Sequence, residues 1–318
     1  MRIGHQAFNA GYFSLFLLFV CNFLHAQDPQ FTQTYSSALY ANPAFTGSAG
    51  QGRVQAAQRI QWPEIPGSFY TTHIGADITN DKLPLDFGVN YILDNAGSGT
   101  LVSNTIGLNL GRSFRIYEDL ALRLGVSGSF NSQNLDVSLL TFGDQIDTRY
   151  GFIYETQQTI PSPIVRYINF NLGAVLHSKV FLLAYAMHNA NRPTNSFMLA
   201  HSRLPVRHSL QGSLRIFNHE AKRNSRIYLN AAYAKQQDFK YFMAGVSALH
   251  GKWKIGVSYR DRNSYIGLLG FVTKSFSVSY SYDYTISRLT QATAGSHEIA
   301  LAFYFGKMQE KRASIPWM

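Results

Sequence analysis

From Phe276 to Tyr284 large apolar residues alternate with small polar ones, Phe276, Val278, Tyr280, Tyr282 and Tyr284 against Ser277, Ser279, Ser281 and Asp283. Successive side chains of a strand point to opposite faces, so this run makes one greasy face and one hydroxylic face. Ile299, Leu301, Phe303 and Phe305 repeat the pattern against Glu298, Ala300, Ala302 and Tyr304. Period two returns at Phe87/Val89/Tyr91/Leu93, Ile106/Leu108/Leu110, Leu120/Leu122/Leu124/Val126, Ile168/Phe170/Leu172, Leu210/Leu214/Ile216, Ile227/Leu229/Tyr233 and Trp253/Ile255/Val257/Tyr259. Helical spacing never persists over a comparable window, so the chain is predicted to be all-β.

Cutting the sequence at its turn residues predicts strands at 52–60, 68–77, 85–93, 101–112, 119–130, 164–176, 180–188, 205–217, 225–235, 239–249, 252–260, 264–272, 275–286 and 296–305. Fourteen is an even number, and the lengths suit strands that cross a bilayer with about 9–11 residues. The pattern therefore predicts a transmembrane antiparallel up-and-down β-barrel of about fourteen strands. The connections give an independent test, because such barrels put short turns on the periplasmic side and long loops outside. The long connections 131–163, 189–204 and Ser287–Gly295 follow strands five, seven and thirteen, all odd. The tight links His177-Ser178-Lys179, His250-Gly251 and Thr273-Lys274 follow strands six, ten and twelve.

Three segments, 180–188, 239–249 and 264–272, carry apolar residues at both parities. A soluble β-sandwich would bury both faces, but it needs fewer strands and would have to bury the whole aromatic ladder of the last two. In a barrel, the inward apolar positions would pack against a plug, for which part of Ser132–Pro163 is a candidate.

The N-terminus explains how such a chain reaches a membrane. Arg2 precedes an uncharged stretch from Ala7 to Phe23, and Leu24-His25-Ala26 offers a small-residue cleavage site. This reads as a secretory signal peptide cut after Ala26. Its apolar part, Tyr12–Leu24, is shorter than the roughly 20 residues of a membrane helix. A lipoprotein anchor on Cys21 is disfavoured by Val20, where a small residue is wanted. Cys21 is the only cysteine and leaves with the signal, so no disulfide is expected, although exported proteins commonly use them. Closed strand pairing in hydrocarbon is the alternative source of stability. The formal charge of +10 becomes +9 on cleavage, because Arg2 is the only formal charge in residues 1–26. A basic chain suits anionic partners such as lipopolysaccharide or an acidic protein face, and export argues against nucleic acid.

No catalytic constellation stands out, and neither a cofactor nor a metal site is expected. His297-Glu298 begins like a zinc motif, but Leu301 stands where the second histidine would be needed and the local period is that of a strand. The pair reads instead as lumen-facing polar residues. Gly97-Ser98-Gly99 is too short for a phosphate loop, and no Ser-His-acid set can be picked from scattered strands. The alternation does place Arg53, Arg59, Arg123, Arg207, Arg215, Lys254 and Arg260 with the small or polar positions, hence inward. An arginine or lysine facing lipid at the midplane would cost about 2–4 kcal/mol. This basic interior either receives an anionic ligand or acidic peptide, or is neutralised by Asp283, Glu298 and loop acids.

The start of the mature chain, Gln27-Asp28-Pro29-Gln30-Phe31 running to Asn42-Pro43-Ala44-Phe45-Thr46-Gly47, resembles the opening of the PorP/SprF family of type IX secretion membrane proteins. Gln58-Arg59-Ile60-Gln61-Trp62 with Pro66-Gly67 resembles that family's first hairpin. Tyr282-Asp283-Tyr284-Thr285 with Gly295-Ser296-His297-Glu298-Ile299-Ala300-Leu301 resembles its closing hairpin, the most specific of the three. The resemblance marks Asn42, Pro43, Arg59, Trp62, Tyr282, Asp283, Tyr284, Gly295, Ser296, His297 and Glu298 as family-motif positions. By pattern, Tyr282 and Tyr284 are lipid-facing or interfacial anchors.

The resemblance implies a non-enzymatic accessory barrel of the outer membrane that assists secretion or surface retention of specific cargo, such as gliding adhesins with a C-terminal secretion domain. Its expected partners are outer-membrane lipid, that cargo, and periplasmic components of the secretion system. A diffusion porin and a barrel-type hydrolase are the alternatives. The expected organisation is a signal peptide at 1–26, a periplasmic lead or plug at 27–51, the barrel at 52–305 and a tail at 306–318. The tail departs from the family pattern, since barrels commonly end on an aromatic residue such as Phe305.

Overall fold

The computed structural model describes residues 28–79, 82, 84–147, 149–198, 202–219, 225–286 and 293–306. The expected signal peptide and residues 307–318 of the tail lie outside the described residues. Most strands form where period two is sustained. The strands are β1 (Gly52–Gln61), β2 (Phe69–Ile78), β3 (Asp86–Ala96), β4 (Leu101–Tyr117), β5 (Leu120–Leu135), β6 (Ile164–His177) and β7 (Phe181–His188). They continue as β8 (Arg207–His219), β9 (Ser225–Gln236), β10 (Phe239–His250), β11 (Trp253–Arg260), β12 (Ser264–Val272), β13 (Phe276–Thr285) and β14 (Ser296–Phe305).

All fourteen join in one closed barrel in which every strand pairs with its sequence neighbours, and β14 closes on β1. The closing ladder is antiparallel from Gly52↔Phe305 to Gln61↔Ser296. The fold is thus the antiparallel up-and-down barrel the alternation predicts. Closure leaves no strand edge, and in hydrocarbon an unpaired edge would be prohibitive.

The two faces separate cleanly. Val89, Leu108, Ile168, Phe170, Ile255, Val257, Leu269, Ile299, Leu301 and Phe303 are exposed on the outer wall, while Arg53, Arg59, Asn109, Arg123, Ser281 and Glu298 are buried inside it. A soluble protein buries the first set and exposes the second; inversion is what a lipid solvent demands.

Two strands run past their expected ends. β4 continues through Ser113–Tyr117 on the turn side, with a bulge between Arg115 and Tyr117, and β5 continues through Asn131–Leu135 on the loop side. In β5 the extension Asn131–Asn134 is polar, and ladder hydrogen bonds hold there without an apolar face; in β4 the outward apolar positions continue at Phe114 and Ile116. The long connection after β5 contains a two-residue ladder, Ile146–Asp147 with Gly151–Phe152.

Candidate functional site

The barrel interior is occupied by the segment just before β1. Within it Phe31, Ser37, Ala38, Leu39, Asn42, Ala44, Phe45, Thr46 and Ser48 are all buried. The other candidate plug, part of Ser132–Pro163, contributes its first residues to β5 and is otherwise mostly exposed. Of the inward apolar positions a plug would cover, Leu182 and Ala184 on β7 pack, together with Val175 on β6, against Ala38, Ala44 and Phe45. That contact accounts for the two-sided apolar pattern of 180–188.

Local chemistry shapes the inner segment. Ser36 and Ser37 donate their N–H groups to the Gln33 carbonyl, and one helical turn, α1 (Ala38–Ala41), follows. It stops at Asn42, which is extended as a residue before proline must be. Asn42 Oδ1 then accepts the Ala44 N–H at 2.9 Å, capping the 3₁₀ turn Pro43–Phe45. The amide's other end donates 2.9 Å to the Tyr185 carbonyl on β7 and 3.4 Å to that of Ala174 on β6. Asn42-Pro43 therefore starts a turn and at the same time ties it to the wall. The wall is cut away there: a Cβ on Gly125 or Gly173 would collide with the Pro43–Ala44 backbone or the Asn42 amide. Glycine is required at both because the inner backbone lies against the strand itself.

Two charged latches hold the segment at its ends. At the turn end, the Arg53 guanidinium grips Asp77 bidentately, at 2.8 and 3.0 Å, and donates to the Phe45 carbonyl at 3.2 Å. Asp77 also accepts the Gly47 N–H at 2.7 Å. Arg123 pairs with Asp86 at 2.8 Å and donates to the Ala44 carbonyl at 3.1 Å and to that of Thr46. Each arginine thus spends one part of its fork on a carboxylate of the wall and another on a carbonyl of the inner segment.

At the loop end, Arg59 donates to Asp283 at 2.9 Å, Glu298 at 3.3 Å and the Thr32 hydroxyl at 2.6 Å. Arg260 reaches the same Asp283 oxygen at 3.1 Å and Thr32 at 2.8 Å. Glu298 then accepts the backbone N–H groups of Thr32 and Gln33 at 2.7 and 2.8 Å. Two cations and two anions sum to zero, and all four side chains are buried. Removing one partner from such a group strands a buried charge, which typically costs about 3–5 kcal/mol.

The inward basic set divides under this geometry. Arg53, Arg59, Arg123 and Arg260 are ion-paired. Arg207 stacks over the Tyr40 ring at 5.4 Å and donates to its hydroxyl at 3.3 Å. Arg215 and Lys254 have no carboxylate partner among the described residues, and Lys254 lines an internal cavity of about 730 Å³ at the turn end.

Of the family-motif positions, Asn42, Pro43, Arg59, Asp283 and Glu298 meet at the inner segment or its latch. Trp62, Gly295 and Ser296 shape the seam between the first and last hairpins: Trp62 has a positive φ and donates its N–H to the Gly295 carbonyl at 3.0 Å, and Ser296 pairs with Gln61. Tyr284 is exposed outward. The Tyr282 and His297 rings pack at 5.0 Å, tilted by 44°. The pair His297-Glu298 does not share the lumen: Glu298 is fully buried inside, whereas His297 lies on the other face beside Tyr280 and Tyr282. Consecutive strand residues cannot point the same way.

Sequence reasoning missed Asp77, Asp86, Thr32 and Gln33. Asp77 shares its parity with Thr71 and His73, both buried inside, and could have been assigned from that. Thr32 and Gln33 carry no period at all.

A closed transmembrane β-barrel whose lumen holds its own N-terminal segment is the class this architecture defines. The chain belongs to the PorP/SprF family of type IX secretion system membrane proteins, whose model matches residues 24–303. Among solved structures it is similar to the outer membrane protein Omp33 of Acinetobacter baumannii, at 13% identity over 82% of this chain and 100% of that one, with a TM-score of 0.44. The P. putida toluene transporter TodX aligns at 9% identity over 85% of this chain and 94% of its own, with a TM-score of 0.48. A FadL homologue of Pseudomonas aeruginosa aligns at 13% identity over 85% and 94%, with a TM-score of 0.45. No curated protein matches the chain.

Proposed function

We propose that the protein is a non-enzymatic accessory barrel of the outer membrane, exported by a signal peptide cut after Ala26, that assists secretion or surface retention of specific cargo. Gliding adhesins with a C-terminal secretion domain are the cargo class this reading names. One observation carries it beyond family membership: the lumen is filled by a segment latched at both ends by buried ion pairs. A barrel so closed is poorly suited to diffusion and has its loops and its turn end left for recognition.

The loops support the reading. In the connection after β5, Tyr150, Phe152, Ile153 and Tyr154 are all exposed, and exposed aromatic side chains on a loop are apt for protein contact. Asp144 and Asp147 hold that loop in shape. The Gln157 N–H at 2.8 Å keeps the Asp144 carboxyl below the usual carboxylate range, and the Arg149 and Tyr150 N–H groups do the same for Asp147.

Surface proteomics of a deletion strain tests the proposal, with a second strain in which 136–163 and 189–204 are exchanged for a paralogue's loops. The expected result is loss of a restricted cargo set on deletion and a changed set on exchange. Loss of every type IX substrate would make the protein part of the core pore. Intact secretion with altered solute uptake would make it a porin.

A further inference from the structure

Four cations surround the turn-end cavity, Arg226 on β9, Lys252 in the turn before β11, Lys254 on β11, and Lys274 in the turn after β12. None has a carboxylate partner among the described residues, and no aspartate or glutamate lines the cavity. Hydroxyls complete the wall, among them Ser247, Thr273, Ser275 and Ser277. A closed barrel could have neutralised these charges as it neutralised Arg53, which borders the same cavity and is paired with Asp77. Lys252 lies over the Phe271 ring at 5.9 Å and Arg226 hydrogen-bonds Tyr228, so neither has its charge cancelled. Four cations without a carboxylate among the described residues around a space of about 730 Å³ repel one another, and an anion entering there relieves that repulsion.

We propose that this cavity is a binding site for a short acidic peptide segment in extended conformation, entering from the turn end. Three features select that ligand. Lys252 and Lys254 stand two residues apart, and alternate side chains of an extended peptide repeat at the same spacing of about 6.8 Å. Lysine supplies three of the four charges and acts as a point charge; arginine forks would be the choice for bidentate phosphate. The cavity is inside a closed wall, so the acyl chains of an anionic lipid would have no hydrocarbon to occupy. The proposal rests on the accessory-barrel reading in one respect, that the turn end faces the periplasm, where a secretion component or cargo could present such a segment.

The test uses the full-length protein in detergent with fluorescent hexaglutamate as probe, and hexaglutamine as control. Hexaglutamate should bind and hexaglutamine should not, and raising salt from ~50 to ~300 mM should weaken binding several-fold. The double substitution K252Q/K254Q should weaken it about tenfold, as loss of two charge contacts does. K274Q lies in an exposed turn and leaves the wall intact; it should weaken binding by a few-fold, while R262Q at the loop end should change nothing. Equal affinity for the two peptides, or unchanged affinity in both K252Q/K254Q and K274Q, overturns the proposal. Complete displacement by low-millimolar inorganic phosphate would also overturn it, marking a site for free oxyanions. These measurements need no cargo, so failure here beside cargo loss on gene deletion would sink the peptide site alone.

Discussion

The two basic regions of the lumen differ in what their charges are for. Around the inner segment, Arg53, Arg59, Arg123 and Arg260 each face a carboxylate and a group of the segment, as Arg123 does with Asp86 and the Ala44 carbonyl. Around the turn-end cavity, Lys252, Lys254, Lys274 and Arg226 have no carboxylate partner among the described residues; Lys252 lies over the Phe271 ring and Arg226 hydrogen-bonds Tyr228. Positive charge thus serves as fixed internal structure in one place and is left without a carboxylate among the described residues in the other. Parity says only that a charge points inward. Whether it is spent depends on an acid elsewhere in the chain and on the segment between them.

Arg123→Ala should produce the largest effect that separates the regions. It strands Asp86 and two inner-segment carbonyls, with an expected loss of about 3–5 kcal/mol. Urea titration of the heat-modifiable gel band, which reports a closed barrel, measures it; an unchanged midpoint would break the comparison. Arg59→Lys keeps the charge but cannot reach Asp283, Glu298 and Thr32 together, so about 1.5–3 kcal/mol should go in the same titration.

Gly125→Leu is expected to force Pro43–Ala44 off the wall, an overpacking cost of about 1–3 kcal/mol. Its sharper readout is conductance in planar bilayers: the parent should be closed, and the variant should show openings that prefer anions by reversal potential. Cation preference would refute the positive field assigned to the interior. Lys254→Gln should leave stability within about 0.5 kcal/mol, as surface-like substitutions do. A large loss there would mean that the cavity lysine is structural after all.

Much of this molecule was legible in its sequence, because a barrel wall is written in one repeating rule. The ladder Phe276–Tyr284 gave β13 (Phe276–Thr285) to within a residue, and fourteen strands close as the alternation implies. The inner segment was harder to read. Phe31–Gly50 is a turn, one helical turn and a 3₁₀ turn, so no periodicity announces it; only the family resemblance suggests a lead or plug there, while apolar parity alone leaves part of Ser132–Pro163 as an equal candidate. Its traces were scattered: Gly125 and Gly173 on the wall, apolar parity at Leu182 and Ala184, and an Asn-Pro turn. Each is unremarkable alone and meaningful only once the segment lies between them. The latch was half legible, since the inward direction of Arg59, Arg260, Asp283 and Glu298 follows from parity while their convergence on Thr32 does not.

The loop-end latch also bears on how the molecule is made. Arg59 belongs to the first strand, and Asp283 and Glu298 to the last two, so the cluster is assembled only when the final hairpin meets the beginning of the chain. A slip of one residue at that junction would turn Glu298 toward lipid and leave Arg59 without it. The ends of the polypeptide are thereby given a lock with a single fitting register. The folding machinery receives a chain that can tell a correct closure from a near miss.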